Sequence, residues 1–413
     1  MHIPPSLKHK KFFYLWLGQL ISITGTQMQL WALFWHIKQL NDNPIALGGI
    51  GFARIFPIII FSLIGGALAD SVDRRKVMFV TQSFAALLAL TLGLLTQFGQ
   101  VTIWHIYVIT AIQAIAVAFD GPSRQALIPN LLPKKDLPNA FSMTFTSFQV
   151  GSVLGPALSG FVIAYAGQYA VYYFNAISFV AVLVALFMIG NVPQSIAEKS
   201  AGISWEAIRE GIHFIFNKPI ILASMLLDFV ATFFASANTL MPIIAQDVLK
   251  VGVVEYGYLS AAPAAGAVLA ALVISQIKEL RKQGITFLSA VVVFGLATIV
   301  FGATTSFIVA WFAIAATGAA DGVSTIIRNT IRQLQTPDYI RGRMTSINQI
   351  FFQGGPQLGE IEAGVVAQFF GAPFAVITGG IGCVIGTFLI IWKFPQLTKY
   401  NGDEPMLAGA PAD

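Results

Sequence analysis

The sequence predicts an all-α polytopic membrane protein, built from twelve spans in two six-helix halves. Three observations carry this. First, 56% of the 413 residues are apolar and only 10% are charged, with a mean hydropathy of +0.74, whereas a soluble chain carries about 25% charged residues. Second, apolar runs recur along the whole chain, each long enough for a helix to cross about 30 Å of hydrocarbon. Third, sequence elements of the first half return in the second at a nearly constant offset.

Taken in order, the expected spans are 12–35, 45–69, 77–97, 101–122, 139–165 and 169–190, followed by 219–245, 254–277, 284–303, 306–327, 344–369 and 372–394. The first run is too long for a signal peptide and lacks a small-residue cleavage site, so it is expected to stay as a helix. With the first loop outside, Lys38 and Lys250 are the two outer cations. Twenty-one others, among them Arg74, Arg75, Lys76, Arg281 and Lys282, fall in inner loops. That asymmetry places both ends in the cytoplasm. The division expected from the sequence is 1–190, a linker 191–218, 219–394 and a short, polar, loose tail 395–413. Within the linker, Ile203, Ala207, Ile208, Ile212 and Phe216 fall near one face of an amphipathic helix lying along the inner surface.

The repeat is read from ordered pairs. FARIFP (52–57) answers to YLSAAP (258–263), and Arg75 and Lys76 to Arg281 and Lys282. FDGPSRQ (119–125) answers to ADGVSTI (320–326), and GPAL (155–158) to GPQL (355–358). Duplication explains the shared order and spacing, and implies two parallel halves about an axis normal to the membrane. The halves differ at one point, because Gln276 stands where the first half has Asp70.

Two stretches carry most of the functional signal. GGALADSVDRRKV (65–77) packs Asp70, Asp73, Arg74, Arg75 and Lys76 into a short inner turn. Gly66 allows close helix approach, Asp70 can hold a helix N-terminus or a cation, and Arg74 and Arg75 offer forked donors to a carboxylate. GSVLGPALSG (151–160) sets Gly151, Gly155 and Gly160 as a smooth stripe beside Pro156, which removes a backbone hydrogen bond; GGPQLGEIEAG (354–364) keeps Gly355 and Pro356. GGALADSVDRRK resembles the signature between the second and third helices of the major facilitator superfamily. Gly66, Leu68, Ala69, Asp70, Arg74 and Arg75 match it, and Asp73 replaces a glycine. GSVLGPALSG resembles the helix 5 signature of that superfamily's antiporters. FFYLWLGQLISITGTQMQ (12–29) and DGPSRQALIPNLLPKKDLPNAFS (120–142) resemble its branch of enterobactin exporters and macrolide efflux proteins. The resemblance covers residues 8–395. The helix 4 arginine of drug–proton antiporters has no equivalent, since 103–118 contains no cation.

Charges inside spans are costly and therefore functional candidates. Arg54, Asp228, Glu360 and Glu362 are the candidates for energy coupling, with Asp228 first and Arg54 a partner for Glu360 rather than a proton carrier. Asp120 and Asp321 are expected as structural partners near Arg124 and Arg328. Gln19, Gln27, Trp31, Gln149, Asn238, Gln349 and Gln353 head the aromatic and amide side chains expected to line a cavity for a bulky, partly hydrophobic solute. No phosphate loop, HExxH or clustered metal-ligand pattern occurs, and Cys383 is the single cysteine, so no enzyme activity, metal or cofactor is expected. The function implied is secondary active export of an amphipathic small molecule, a drug such as a macrolide or a siderophore, by alternating access with proton antiport. The setting expected is a bacterial inner membrane, as a monomer, with protons and lipid as partners and no nucleic acid. The alternatives are a lipid-related or metabolite facilitator, and a sensor or assembly protein that kept the fold without transporting.

Overall fold

Proline and glycine decide where the helices of this chain start, bend and stop. The computed structural model describes residues 4–193, 205–235, 237–277 and 281–402, and every regular element among them is helical. They are α1 (Lys10–Leu40), α2 (Pro44–Ser71), α3 (Arg74–Gln97), α4 (Ile103–Leu127), α5 (Leu137–Ala166), α6 (Gln168–Ile189) and α7 (Trp205–Phe216). There follow α8 (Pro219–Phe234), a single turn α9 (Met241–Ile243), α10 (Val253–Ser275), α11 (Gln283–Ala303), α12 (Phe307–Leu334), α13 (Asp338–Phe370), α14 (Ala372–Lys393) and the short α15 (Gln396–Lys399). Short 3-10 turns fill several of the junctions.

Ten helices among the described residues are long and apolar enough to cross a membrane. The other two expected spans, 12–35 and 344–369, fall on α1 and α13, which are 31 and 33 residues long but too polar to join the ten. Large apolar side chains such as Trp104, Phe187, Phe369 and Trp392 stand exposed on helix flanks, as expected of surfaces solvated by lipid tails. The expected span 219–245 is not one continuous helix. The α-helix ends at Phe234, and the chain goes on through a 3-10 turn (Ala237–Leu240), α9 and a π-turn (Ile244–Val248).

The chain forms two compact units. One comprises Met1–Asp42, Ala53–Gly202 and Gly252–Ala261; the other Asn43–Phe52, Ile203–Val251 and Ala262–Asp413. In the first, α1 packs along α5 and α6, and α3 along α4 and α6. Phe12, Leu15, Met78, Leu127, Val182 and Leu186 form its main apolar cluster. In the second, α11 packs along α12 and α14, and α8 along α13 and α14, around Leu227, Phe287, Val291, Ile331 and Cys383.

The same turn recurs 204 residues apart. Gly167 (φ +85°) is the lone residue between α5 and α6, and Gly371 (φ +87°) the lone residue between α13 and α14. A side chain there would meet the left-handed backbone penalty that glycine avoids. One sequence expectation needs correction. The segment after 395 is not loose at its start: Leu397 and Tyr400 are buried in the core of the second unit, and Gly284 N–H donates to Tyr400 O at 2.9 Å. In α7 the docking residue is Ile215, packed with Ile221, Met225 and Met344, while Ile212 and Phe216 remain exposed. Ile203, the rest of the linker from 194 to 204, and the tail from 403 onwards lie outside the described residues. So do the side chains of Ala207 and Ile208.

Candidate functional site

In the first unit, five spans turn polar side chains inward around a cavity of about 160 Å³. Gln29 of α1, Arg54 of α2, Thr81 and Gln82 of α3, Thr110, Gln113 and Asp120 of α4, and Asn175 of α6 line it. A hydrogen-bond chain runs through the amides. Asn175 Nδ2 donates to Gln29 Oε1 at 2.7 Å, and Gln29 Nε2 to Gln113 Oε1 at 2.8 Å. Asp120 is buried and accepts from Thr81 Oγ1 (3.2 Å) and Gln82 Nε2 (2.9 Å). Arg124 is thus not its partner, contrary to the sequence expectation. Gly121 and Pro122 follow Asp120 within α4, where Pro122 removes one backbone donor.

The charged centre of the second unit lies between α8 and α12. Asp228, 1% exposed, meets Arg328 Nη1 through Oδ1 at 3.1 Å and Arg332 Nη2 through Oδ2 at 3.4 Å. Arg328 Nη1 also pairs with Asp321 at 3.0 Å and donates to Ser324 Oγ at 2.9 Å. Arg332 donates further to Ser224, through Nε to the hydroxyl and Nη2 to the carbonyl. Two carboxylates and two guanidiniums therefore share one patch with no net charge, buried except at Asp321, which is 46% exposed. The spacing of Arg328 and Arg332 by four residues puts both on one face of α12, which is what lets one carboxylate meet both. Both ion-pair partners of Asp228 are on α12.

Glu360 of α13 is also buried. It lies where α2 runs against α13 on glycine. A Cβ built on Gly51 would sit 2.9 Å from Glu360 Cβ and 2.6 Å from Gln357 O, and one on Gly48 would meet Gly364 Cα at 3.3 Å. Only hydrogen fits there. Glu362, two residues on, is half-buried. The first unit holds a matching crossing, where Gly160 of α5 meets Gly257 of α10, each virtual Cβ 3.0 Å from the other's Cα. The rest of the glycine stripe faces α1: Gly151 abuts Ile23 and Gly155 abuts Gln27. On α13, Gly355 abuts Thr232 of α8.

At the turn between α2 and α3, Asp73 caps α3 by accepting from Arg75 N–H at 3.0 Å. Arg74 Nη1 donates to Asn130 Oδ1 (3.1 Å). Arg75 donates to Leu186 O (2.7 Å) and Asn191 Oδ1 (3.3 Å). Arg75 thus serves a helix-end carbonyl and an amide, where the sequence suggested a carboxylate. Leu186 O lies in the last turn of α6, where carbonyls lack intrahelical donors, and Asn130 and Asn191 lie just beyond α4 and α6, so the arginines tie three helix ends together. The side chains at Gly66, Asp70, Gln349 and Gln353 lie outside the described residues.

The expected cavity residues are used in other ways. Gln27 donates to Ser152 Oγ at 3.3 Å, and Gln19 is buried. Trp31 is buried edge-on to Tyr256, whose hydroxyl donates to Trp31 O at 3.0 Å. Gln149 is half-buried and Asn238 exposed. None of these five lines the cavity of the first unit, whereas Thr26 and Gln29, two further helix 1 side chains of the expected lining, do. The residues that do line it and that sequence reading passed over, Gln82, Gln113 and Asn175, share a legible signal: each is an amide inside an apolar run.

The chain matches the family described as "transmembrane secretion effector" over residues 4–405. It is 22% identical to the enterobactin exporter EntS of Citrobacter koseri, covering 98% of this chain and 96% of that protein. It is 26% identical to the staphyloferrin A transporter of Staphylococcus aureus, covering 92% and 94% respectively. Among solved structures, a bacterial homologue of the human lysosomal transporter Spinster, in an inward-facing and occupied conformation, matches along the full length of both chains with a TM-score of 0.73 at 15% identity. Full-length agreement in sequence family and in fold gives one conclusion: the chain belongs to the transmembrane secretion effector family and is a polytopic membrane transporter of the major facilitator superfamily.

Proposed function

We propose that this protein exports an amphipathic small molecule, a siderophore in first place and a drug such as a macrolide in second, by alternating access coupled to proton entry. The site of action is a bacterial inner membrane, with both chain ends in the cytoplasm. The charge asymmetry of the loops supports that orientation, and the names of two relatives of matching length, an enterobactin exporter and a staphyloferrin A transporter, favour the siderophore.

The observation that carries the coupling is the placement of Glu360. It is a buried carboxylate set into a helix crossing that tolerates only glycine opposite it. A proton-coupled exporter needs an acid that is protonated in one access state and ionised in the other. An ionised carboxylate needs water or a cation, so its charge state acts on whether such a crossing stays closed. Asp228, by contrast, is held by two guanidiniums and serves as a staple. The inner turn with Gly66, Asp70, Asp73, Arg74 and Arg75 acts as the gate latch in this reading. Arg54 and Glu362 take no part in proton transfer.

Inside-out vesicles carrying the protein test this with enterobactin and a macrolide, each with and without a pH gradient. Gradient-driven uptake of enterobactin that is lost in Glu360→Gln, with substrate binding retained, is the expected result. Uptake that ignores the pH gradient, or normal proton movement in Glu360→Gln, would refute the coupling. Uptake of the macrolide alone would move the substrate to the drug class.

A further inference from the structure

The cavity of the first unit is more specific than a hydrated gap. Its wall carries two formal charges of opposite sign, Asp120 and Arg54, yet among the described residues neither makes an ion pair. Both hydrogen bonds to Asp120 fall on Oδ1, which leaves Oδ2 without a donor. Two side chains more than nine-tenths buried also face the cavity with an unused polar atom: Gln82, 8% exposed, through Oε1, and Thr110, 5% exposed, through Oγ1. Gln113 adds an unused donor, Nε2. Orphaned buried polar atoms are expensive, and so many around one cavity mean that something else satisfies them.

The unused atoms sort by chemistry. Asp120 Oδ2 and Gln82 Oε1 can accept, and Gln82 already lies against Asp120, so together they complement the N–H donors of a primary ammonium. Arg54, Gln113 Nε2 and the hydroxyl of Thr110, three residues before Gln113 on α4 and so on the same face, donate, which is the complement of a carboxylate. A simple cation would be opposed by Arg54 and a simple anion by Asp120, whereas a dipolar molecule is attracted at both ends. A cavity of about 160 Å³ far exceeds the need of one water and is of amino-acid size.

We infer that this cavity binds the amino-carboxylate head of a small zwitterion, with the ammonium on Asp120 and Gln82 and the carboxylate on Arg54, Gln113 and Thr110. The inference concerns binding within one unit and stands whether or not the protein exports a siderophore. Full-length protein in detergent, titrated with radiolabelled L-alanine by equilibrium dialysis, tests it against ethylamine and propionate, which each carry one half of the head. L-Alanine is expected to bind saturably with a dissociation constant in the millimolar range. Ethylamine and propionate should each be more than tenfold weaker as competitors, and Asp120→Asn and Arg54→Gln should each weaken L-alanine at least tenfold. Thr110→Val, which keeps shape and charge, should weaken it severalfold and serves if a charge variant fails to fold. No saturable L-alanine binding, equal competition by ethylamine or by propionate, or unchanged affinity in these variants would each overturn the inference.

Discussion

Neutralising an opposite pair in the Asp228 cluster should cost less than the sum of neutralising its two members singly. In the intact cluster Asp228 lies 3.1 Å from Arg328 and 3.4 Å from Arg332, and Asp321 lies 3.0 Å from Arg328. At an effective dielectric of about 20, each such contact is worth roughly 5 kcal/mol of attraction before desolvation is counted. Asp228→Asn leaves Arg332 buried beside a neutral amide, and Arg332→Gln leaves a surplus carboxylate. Breaking a buried pair from one side typically costs about 3–5 kcal/mol. The double variant keeps Asp321 with Arg328 and removes one charge of each sign, so its cost should fall short of the sum of the singles by roughly 1–3 kcal/mol. The assay is a double-mutant cycle, unfolding purified protein reversibly from mild detergent into dodecyl sulfate. Additivity within about 0.5 kcal/mol would refute the view that these four side chains form one electrostatic unit. Proton flux gives a second readout. If the double variant is folded but no longer moves protons with substrate, Asp228 is a proton carrier after all.

Gly155→Leu should destabilise by at least about 1–3 kcal/mol and disturb labelling of α1, since a Cβ there already sits 3.0 Å from Met28 N and Thr24 O; unchanged stability and labelling would place the stripe against lipid. Gly121→Ala is the contrasting case, because nothing lies within 4 Å of a Cβ at that helical position. It should raise stability by about 0.5–1 kcal/mol in the same titration. Gly51→Ala should force Glu360 aside, its virtual Cβ being 3.0 Å from Oε2, and so alter proton coupling more than it alters expression. Flux measured at equal protein amounts checks this. Tyr256→Phe removes the hydroxyl that donates to Trp31 O and should cost about 0.5–1.5 kcal/mol, read from the melting curve.

Much of the architecture was legible because hydrocarbon imposes it. Apolar runs of fixed length locate helices whatever they pack against, and ten of the long helices follow from that rule alone. The other two, α1 and α13, carry so many amides and charges that hydropathy undervalues them, although the repeat demands a helix at each place. The break after Phe234 had one legible sign, Pro242, which stands in the first turn of α9, whereas nothing in IIAQDV distinguishes a π-turn from an α-helix by composition. For the site, the sequence marked Asp228, Glu360 and Arg54 as charges inside spans and so worth attention, but it did not show their partners. Asp228 finds Arg328 and Arg332 across about a hundred residues of chain, and a long-range pairing leaves no local trace. The amides Gln82, Gln113 and Asn175 could have been found, because each interrupts an apolar run just as the charges do.

The glycine crossings, Gly160 on Gly257 and Gly48 on Gly364, have a mechanical meaning. Where helices touch through side chains, each step of one past the other forces rotamers to unlock and repack, and the barrier rises with the entropy and strain involved. Where they touch through Cα atoms and carbonyls there are no rotamers to unlock. Such a contact behaves as a bearing surface: close enough to be tight at rest, and free of interlocking parts when one helix shifts against the other. A larger residue at any of these four positions would therefore act less like a missing bond than like grit, slowing movement even where the resting structure found room for it.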